Sequence, residues 1–145
     1  MIAIACDHGG FELKKAIIAH LTEKGVETTD FGCYDGQSCD YPDLAHPLAD
    51  AVVSGEFDCG ILCCGTGIGM SIAANKHPGI RAAHVTDLFS AKATREHNDA
   101  NVLCLGGRTV GPELAKKIME IFLHTPFSGA EKHIRRVGMI KEFEA

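Results

Sequence analysis

Gly60-Ile61-Leu62-Cys63-Cys64-Gly65-Thr66-Gly67-Ile68-Gly69-Met70-Ser71-Ile72-Ala73-Ala74-Asn75 passes from an apolar run through a glycine turn into a helix-compatible stretch. A short, unbroken apolar run is the pattern of a strand buried on both faces. Gly65, Gly67 and Gly69 let bare backbone amides approach a ligand. Those amides stand where a helix begins, and the helix dipole there favours an anion. The thiol of Cys64 heads the turn and the hydroxyl of Thr66 lies within it. Such an arrangement suits chemistry on an oxygen-bearing carbon; a core has no need of it.

The same unit of strand and helix recurs in both directions along the chain. Ile2–Cys6 reads as a buried strand and Phe11–Lys24 as a helix with Leu13, Ile17 and Leu21 on one face. Val26–Thr29 reads as a second strand, followed by a loop rich in Gly, Asp and Ser. Pro42 starts a helix striped by Leu44, Leu48 and Val52. Cys59–Cys63, Ile80–Val85 and Asn101–Leu105 supply three further strands. Asp87 is a natural cap for a helix over Leu88–Glu96; Gly111-Pro112 opens another, and a last helical segment runs from Ala130 to Phe143.

This alternation predicts an α/β fold, a five-stranded parallel sheet covered on both faces, in one domain over residues 1–145. Ligands of such sheets lie beyond the carboxyl ends of the strands. Asp7-His8-Gly9-Gly10, Cys64 to Gly69, Thr86-Asp87 and Gly106-Gly107-Arg108 all fall there.

Composition narrows the function. The chain has 145 residues and a net charge of -5 with scattered cations, so neither nucleic acid nor an anionic membrane is an expected partner. No apolar run reaches the length of a membrane span and the first residues do not read as a signal segment, so a cytoplasmic location is expected. The seven cysteines are odd in number and lack C-x-x-C spacing. They therefore predict neither a disulfide framework nor a structural zinc site. Cys6, Cys63 and Cys104 read as small core residues. The glycine turn matches neither the dinucleotide fingerprint nor the Walker loop, and no cofactor or metal is expected.

Individual residues leave alternatives open. Asp7 is either an ordinary helix cap or a group facing the same crevice as Cys64, with His8 beside it. Cys64 is either an inert buried thiol or a base able to take a carbon-bound proton. His97, in His97-Asn98-Asp99, suits acid–base work through its near-neutral intrinsic pKa. His20 and His124 read as solvated. Lys132, His133, Arg135 and Arg136 form a basic helix face; such faces are usually solvated, and phosphate is the partner that would give this one a further role.

Ile4-Ala5-Cys6-Asp7-His8-Gly9-Gly10-Phe11, Asp40-Tyr41-Pro42-Asp43, the stretch Cys64 to Asn75 and His97-Asn98-Asp99-Ala100-Asn101-Val102 together resemble ribose-5-phosphate isomerase type B. The wider family includes allose-6-phosphate and galactose-6-phosphate isomerases. The resemblance covers essentially the whole chain. It implies a Rossmann-like three-layer sandwich and a homodimer, or a dimer of dimers, whose active sites are built from both subunits. By this resemblance Cys64 is the base between C1 and C2, and His97 opens the sugar ring with Thr66 assisting. Asp7 and Asn98 would hold hydroxyls, and the amides of Gly65, Gly67, Ile68 and Gly69 the enediolate. Phosphate would fall to His8, Arg108, Arg136 and Lys132. Lysine at 132 departs from the arginine common in the family, and Met70 fills the place where another branch carries a glutamate base. The implied reaction interconverts ribose 5-phosphate and ribulose 5-phosphate. Alternatives are isomerisation of a six-carbon sugar phosphate such as allose 6-phosphate, or a non-catalytic phosphosugar-binding protein.

Overall fold

The computed structural model describes residues 1–144. Five parallel strands, β1 (Ile2–Cys6), β2 (Thr28–Asp30), β3 (Cys59–Cys64), β4 (Ala82–His84) and β5 (Val102–Gly106), form one sheet in the order β2-β1-β3-β5-β4. Six helices accompany them: α1 (Phe11–Glu23), α2 (Tyr41–Val53), α3 (Ile68–Asn75), α4 (Leu88–Asn98), α5 (Pro112–His124) and α6 (Glu131–Lys141). None of them is long and apolar enough to cross a membrane.

The period-two alternation of each strand sorts the sheet's side chains into two cores. Ile2, Ile4 and Cys6 of β1 join Ile61, Cys63, Leu103 and Leu105 against α1 and α5. Ala3 and Ala5 point the other way, with Leu62, Cys64, Val102 and Cys104, against α2 and α3. The second face is built from small residues, so α2 comes close. A Cβ added at Gly60 would lie 2.6 Å from Leu48. Cys63 and Cys64, adjacent in sequence, thus occupy opposite cores.

β1 and β3 are neighbours and pair along the whole of β1, from Ile2↔Cys59 to Cys6↔Cys63. Between them the chain order reverses, since β2 lies on one side of β1 and the rest of the sheet on the other. A crevice opens at the carboxyl ends of strands flanking such a reversal. Asp7 and Cys64 are the residues at its two lips.

Several boundaries differ from expectation. The sheet's outer strands are three residues each, Thr28–Asp30 and Ala82–His84, where longer runs were expected. An outer strand is held only where its one neighbour pairs with it, so apolar flanks read as strand although they lie beyond the ladder. α4 continues to Asn98, which puts His97 and Asn98 on the helix. α3 starts at Ile68 and α2 at Tyr41, and a short 3-10 turn, His8–Gly10, precedes α1. Asp87 caps α4 as expected, accepting the Ser90 amide at 2.7 Å. His20 is not solvated; its Nε2 meets Glu120 at 2.8 Å and ties α1 to α5.

Lys14 is buried, with 1% of its surface exposed. Its ammonium meets both carboxylate oxygens of Asp30 at 2.9 Å and donates to the carbonyl of Cys33. It clamps α1 to the end of β2 and the loop beyond. Lys14→Met keeps the volume and leaves Asp30 and that carbonyl short of a donor. Breaking such a pair costs about 3 kcal/mol when one partner is nearly buried. A fall in Tm of about 10 °C is expected by calorimetry, at two to four degrees per kcal/mol for a domain of this size.

Candidate active site

The turns after β1, β3 and β5 interlock through bare backbone. A Cβ at Gly9 would sit 2.8 Å from the Gly65 nitrogen, one at Gly10 2.3 Å from the Cys63 carbonyl carbon, and one at Gly107 2.6 Å from the Gly9 oxygen. The amide of Gly107 donates to the Cys64 carbonyl at 2.7 Å and that of Arg108 to the Gly65 carbonyl at 2.9 Å. Three strand ends are thereby fixed as one rim around the glycine turn.

Within that turn Cys64 is 4% exposed, and its sulfur accepts the Gly67 amide at 3.0 Å. Gly67 itself has φ of 82°, a left-handed conformation suited to glycine, and a Cβ there would strike His84 and Leu105. Thr66 Oγ1 accepts the Ile68 amide at 3.2 Å. So the amides of Gly67 and Ile68 are engaged inside the turn. Those of Gly69 and Met70 are in the first turn of α3, where helical geometry provides no acceptor. With the amides of Gly65 and Thr66, which donate to no acceptor among the described residues, they are the donors left for an anion.

Asp7 caps the turn that opens α1, its Oδ1 accepting Gly9 and Gly10 amides at 2.9 and 3.2 Å. His8 is exposed on the rim. The guanidinium of Arg108 lies over Gly65, 3.2 Å from where a Cβ would be. Two rings complete the wall: Tyr41 against Gly69, and His84 against Gly67. Cys64, Thr66, Asp7, His8, Arg108 and the glycine turn therefore share one crevice.

His97, Asn98, Lys132 and Arg136 do not. α4 begins beyond the carboxyl end of β4 and runs back past the sheet for eleven residues. At about 1.5 Å per residue this carries His97 roughly 15 Å from the crevice edge. The next strand begins at Val102, so His97 is at the amino edge of the sheet, opposite Cys64. Its ring stacks on His133 at 4.5 Å, and Ser128 Oγ lies 2.8 Å from His133 Nδ1. Desolvation, then the neighbouring His97, Lys132 and Arg136, lower the pKa of His133. Asn98 borders a cavity of about 740 Å³ with Asn75, Arg81 and Phe143, away from the glycine turn. The residues expected at the site thus divide into two groups on opposite edges of the sheet.

A family profile described as Ribose/Galactose Isomerase matches residues 2–140. The chain belongs to that family. Ribose-5-phosphate isomerase B of Escherichia coli is 50% identical over 99% of this chain and 95% of its own length. D-erythrulose-4-phosphate isomerase of Pectobacterium atrosepticum is 48% identical, over 99% and 96%. The solved structure of Clostridium thermocellum ribose-5-phosphate isomerase B superposes with a TM-score of 0.96 at 52% identity, covering 99% of this chain and 96% of that one. The protein is a sugar phosphate isomerase of the Ribose/Galactose Isomerase family.

Residue-by-residue reading of the sequence assigned no role to several groups that hold the segments carrying these residues. Arg81 donates to the carbonyls of Asn98 and Asp99, and Arg95 to the Asp99 carboxylate and the Ala100 carbonyl. They fix the corner that carries His97. The i, i+4 spacing of Arg95 and Asp99 was the available signal. Asn75 clamps the start of β4, its side-chain amide bonding both N and O of Ala82. Tyr41 and His84 had no local signal, because what they touch is remote in sequence.

Proposed function

We propose that this isomerase interconverts ribose 5-phosphate and ribulose 5-phosphate, with Cys64 as the carbon base. The observation that carries the reading is the Cys64 sulfur at the head of a turn whose free donors include the Gly69 and Met70 amides of α3. The thiolate takes the C2 proton of the open-chain aldose. Electron density moves to O1, where preorganised N–H groups stabilise the enediolate. The O2 hydroxyl proton passes to O1, and return of the carbon-bound proton to C1 as C2=O2 forms gives the ketose. Thr66 lies beside the developing charge, and His8 and Arg108 stand on the rim where a phosphate would be held, Arg108 with a bidentate fork.

Ring opening needs an acid–base group, and His97 is the candidate. Because His97 and Cys64 occupy opposite edges of one sheet, the reading requires a second copy of the chain. A two-fold homodimer would bring His97, Asn98, Lys132 and Arg136 of one subunit to the Cys64 crevice of the other, twice over. Exposed apolar residues support it: Ile68 and Ile72 on α3, Ile134 and Ile140 on α6. Single exposed apolar residues need no explanation, but stripes of them mark contact surfaces.

The test is a comparison of kcat/KM for ribose 5-phosphate, allose 6-phosphate and D-erythrulose 4-phosphate in assays that follow each ketose or aldose product. Ribose 5-phosphate is expected to exceed each of the others by at least about tenfold, one step of 1.4 kcal/mol in transition-state binding. A larger value for erythrulose 4-phosphate would move the assignment to the four-carbon sugar that the Pectobacterium relative acts on.

A further inference from the structure

The loop between β2 and α2 holds two cysteines that differ from the other five. Cys6, Cys59, Cys63, Cys64 and Cys104 are buried, whereas Cys33 and Cys39 are partly exposed. Those two touch each other: their sulfurs are 3.0 Å apart. A disulfide bond is about 2.05 Å long, so about 1 Å of approach separates the reduced pair from a bond.

The contact is built from both sides. Cys33 is fixed to the end of β1, its amide donating to the Cys6 carbonyl at 2.7 Å and its carbonyl accepting the Lys14 ammonium. The chain then turns at Gly36, with φ of +69°, and the Gln37 amide closes that turn on Asp35 at 3.1 Å. Cys39 returns to the same strand end, where its amide donates to His8 Nδ1 at 3.4 Å. Both ends of the loop therefore rest on the segment that carries Asp7 and His8.

We propose that Cys33 and Cys39 are a redox-active dithiol site, which a hydroperoxide oxidises to an intramolecular disulfide that alters the setting of His8. Roles within the pair are unequal. The Cys39 thiol donates to the Cys33 sulfur at 3.0 Å, and burial, then that sulfur, push it up to about 12, so Cys33 is the attacking sulfur and Cys39 the resolving one. The Cys33 thiolate attacks one peroxide oxygen and the O–O bond breaks. This gives a sulfenic acid and a hydroxide, which takes up a proton to become water. The Cys39 sulfur then displaces the sulfenic hydroxyl, which leaves as a second water with the proton that Cys39 gives up. Two thiols and one hydrogen peroxide become one disulfide and two waters; sulfur loses two electrons and peroxide gains them.

The experiment treats the full-length protein with one equivalent of hydrogen peroxide and cleaves it before aspartates under non-reducing conditions. Residues 30–34 and 35–39 then lie on separate peptides. The expected product is those two peptides joined, lighter by two hydrogens, and separated again by dithiothreitol. Cys33→Ser and Cys39→Ser should each abolish the joined species. In parallel, the His8 ring signal in NMR, assigned with His8→Gln, should move on oxidation in the wild type and stay fixed in Cys39→Ser. Oxidation of Cys64 while Cys33 and Cys39 still titrate as free thiols would overturn the site. A joined peptide with an unmoved His8 signal would overturn the link to His8. An effect on turnover rests on the isomerase reading and is measured separately: KM for ribose 5-phosphate is expected to rise about threefold on oxidation. Failure of the reduced protein to turn over that sugar would count against the isomerase reading alone, because the peptide and the NMR signal are read without substrate.

Discussion

Cys64→Ala is expected to lower turnover of ribose 5-phosphate by a factor on the order of 10³, the usual worth of a positioned general base. The loss should fall on kcat with KM little changed, since the sulfur acts on a proton that moves only in the transition state. The alanine variant also strips the Gly67 amide of its acceptor, at a cost of about 1–2 kcal/mol in stability. Cys64→Ser separates the two effects. It keeps an acceptor at the same place, so it should unfold close to the wild type, yet an alcohol is too weak an acid to supply the base at neutral pH. Both variants should fail to exchange the sugar's C2 proton with deuterated solvent. Exchange at near wild-type rate in either one would remove Cys64 from the role of base.

The fold was legible where burial was two-sided. β1, β3 and β5 are apolar nearly throughout because helices cover both faces, and each was recognisable to within a residue. The rule that ligands gather at the carboxyl edge of a parallel sheet then placed Asp7, His8, Cys64 and Arg108 together without a single contact being known. The same rule has no hold on His97. It marks one edge of the sheet, and His97 is at the other, so its fellowship with Cys64 came from the family resemblance and not from the pattern of strands. Lys14 was illegible for a different reason. A lysine on a helix reads as solvated, and only the fold brings Asp30, sixteen residues on, within 2.9 Å of its ammonium. The turn's amides were legible as a group but not in their individual duties. That Gly67 serves the Cys64 sulfur and Ile68 serves Thr66 depends on a left-handed φ at Gly67 and on side-chain directions that composition does not carry.

Mixed dimers of Cys64→Ala and His97→Asn subunits are expected to recover activity that neither parent has. If each site joins Cys64 of one chain to His97 of the other, a mixed dimer has one doubly altered site and one site in which both residues are intact. Two-fold symmetry makes the two sites equivalent before mutation, so the mixed dimer should show about half the wild-type kcat. If both residues acted within one chain, each subunit of the mixed dimer would lack one of them and activity would stay at the level of the parents. The two arrangements thus predict half or nothing. Co-expression with two different affinity tags and sequential purification isolates the mixed species, and homodimers of each parent, carried through the same steps, give the baseline. The geometry of one chain already favours recovery, because most of the length of α4 (Leu88–Asn98) separates the helix start near the crevice edge from His97. No rotation of a side chain spans roughly 15 Å of helix. A purified mixed dimer as inactive as its parents would overturn the two-chain site, whereas a His97→Asn homodimer that keeps its turnover would place ring opening on another group, with His84, already against the glycine turn, the next residue to replace.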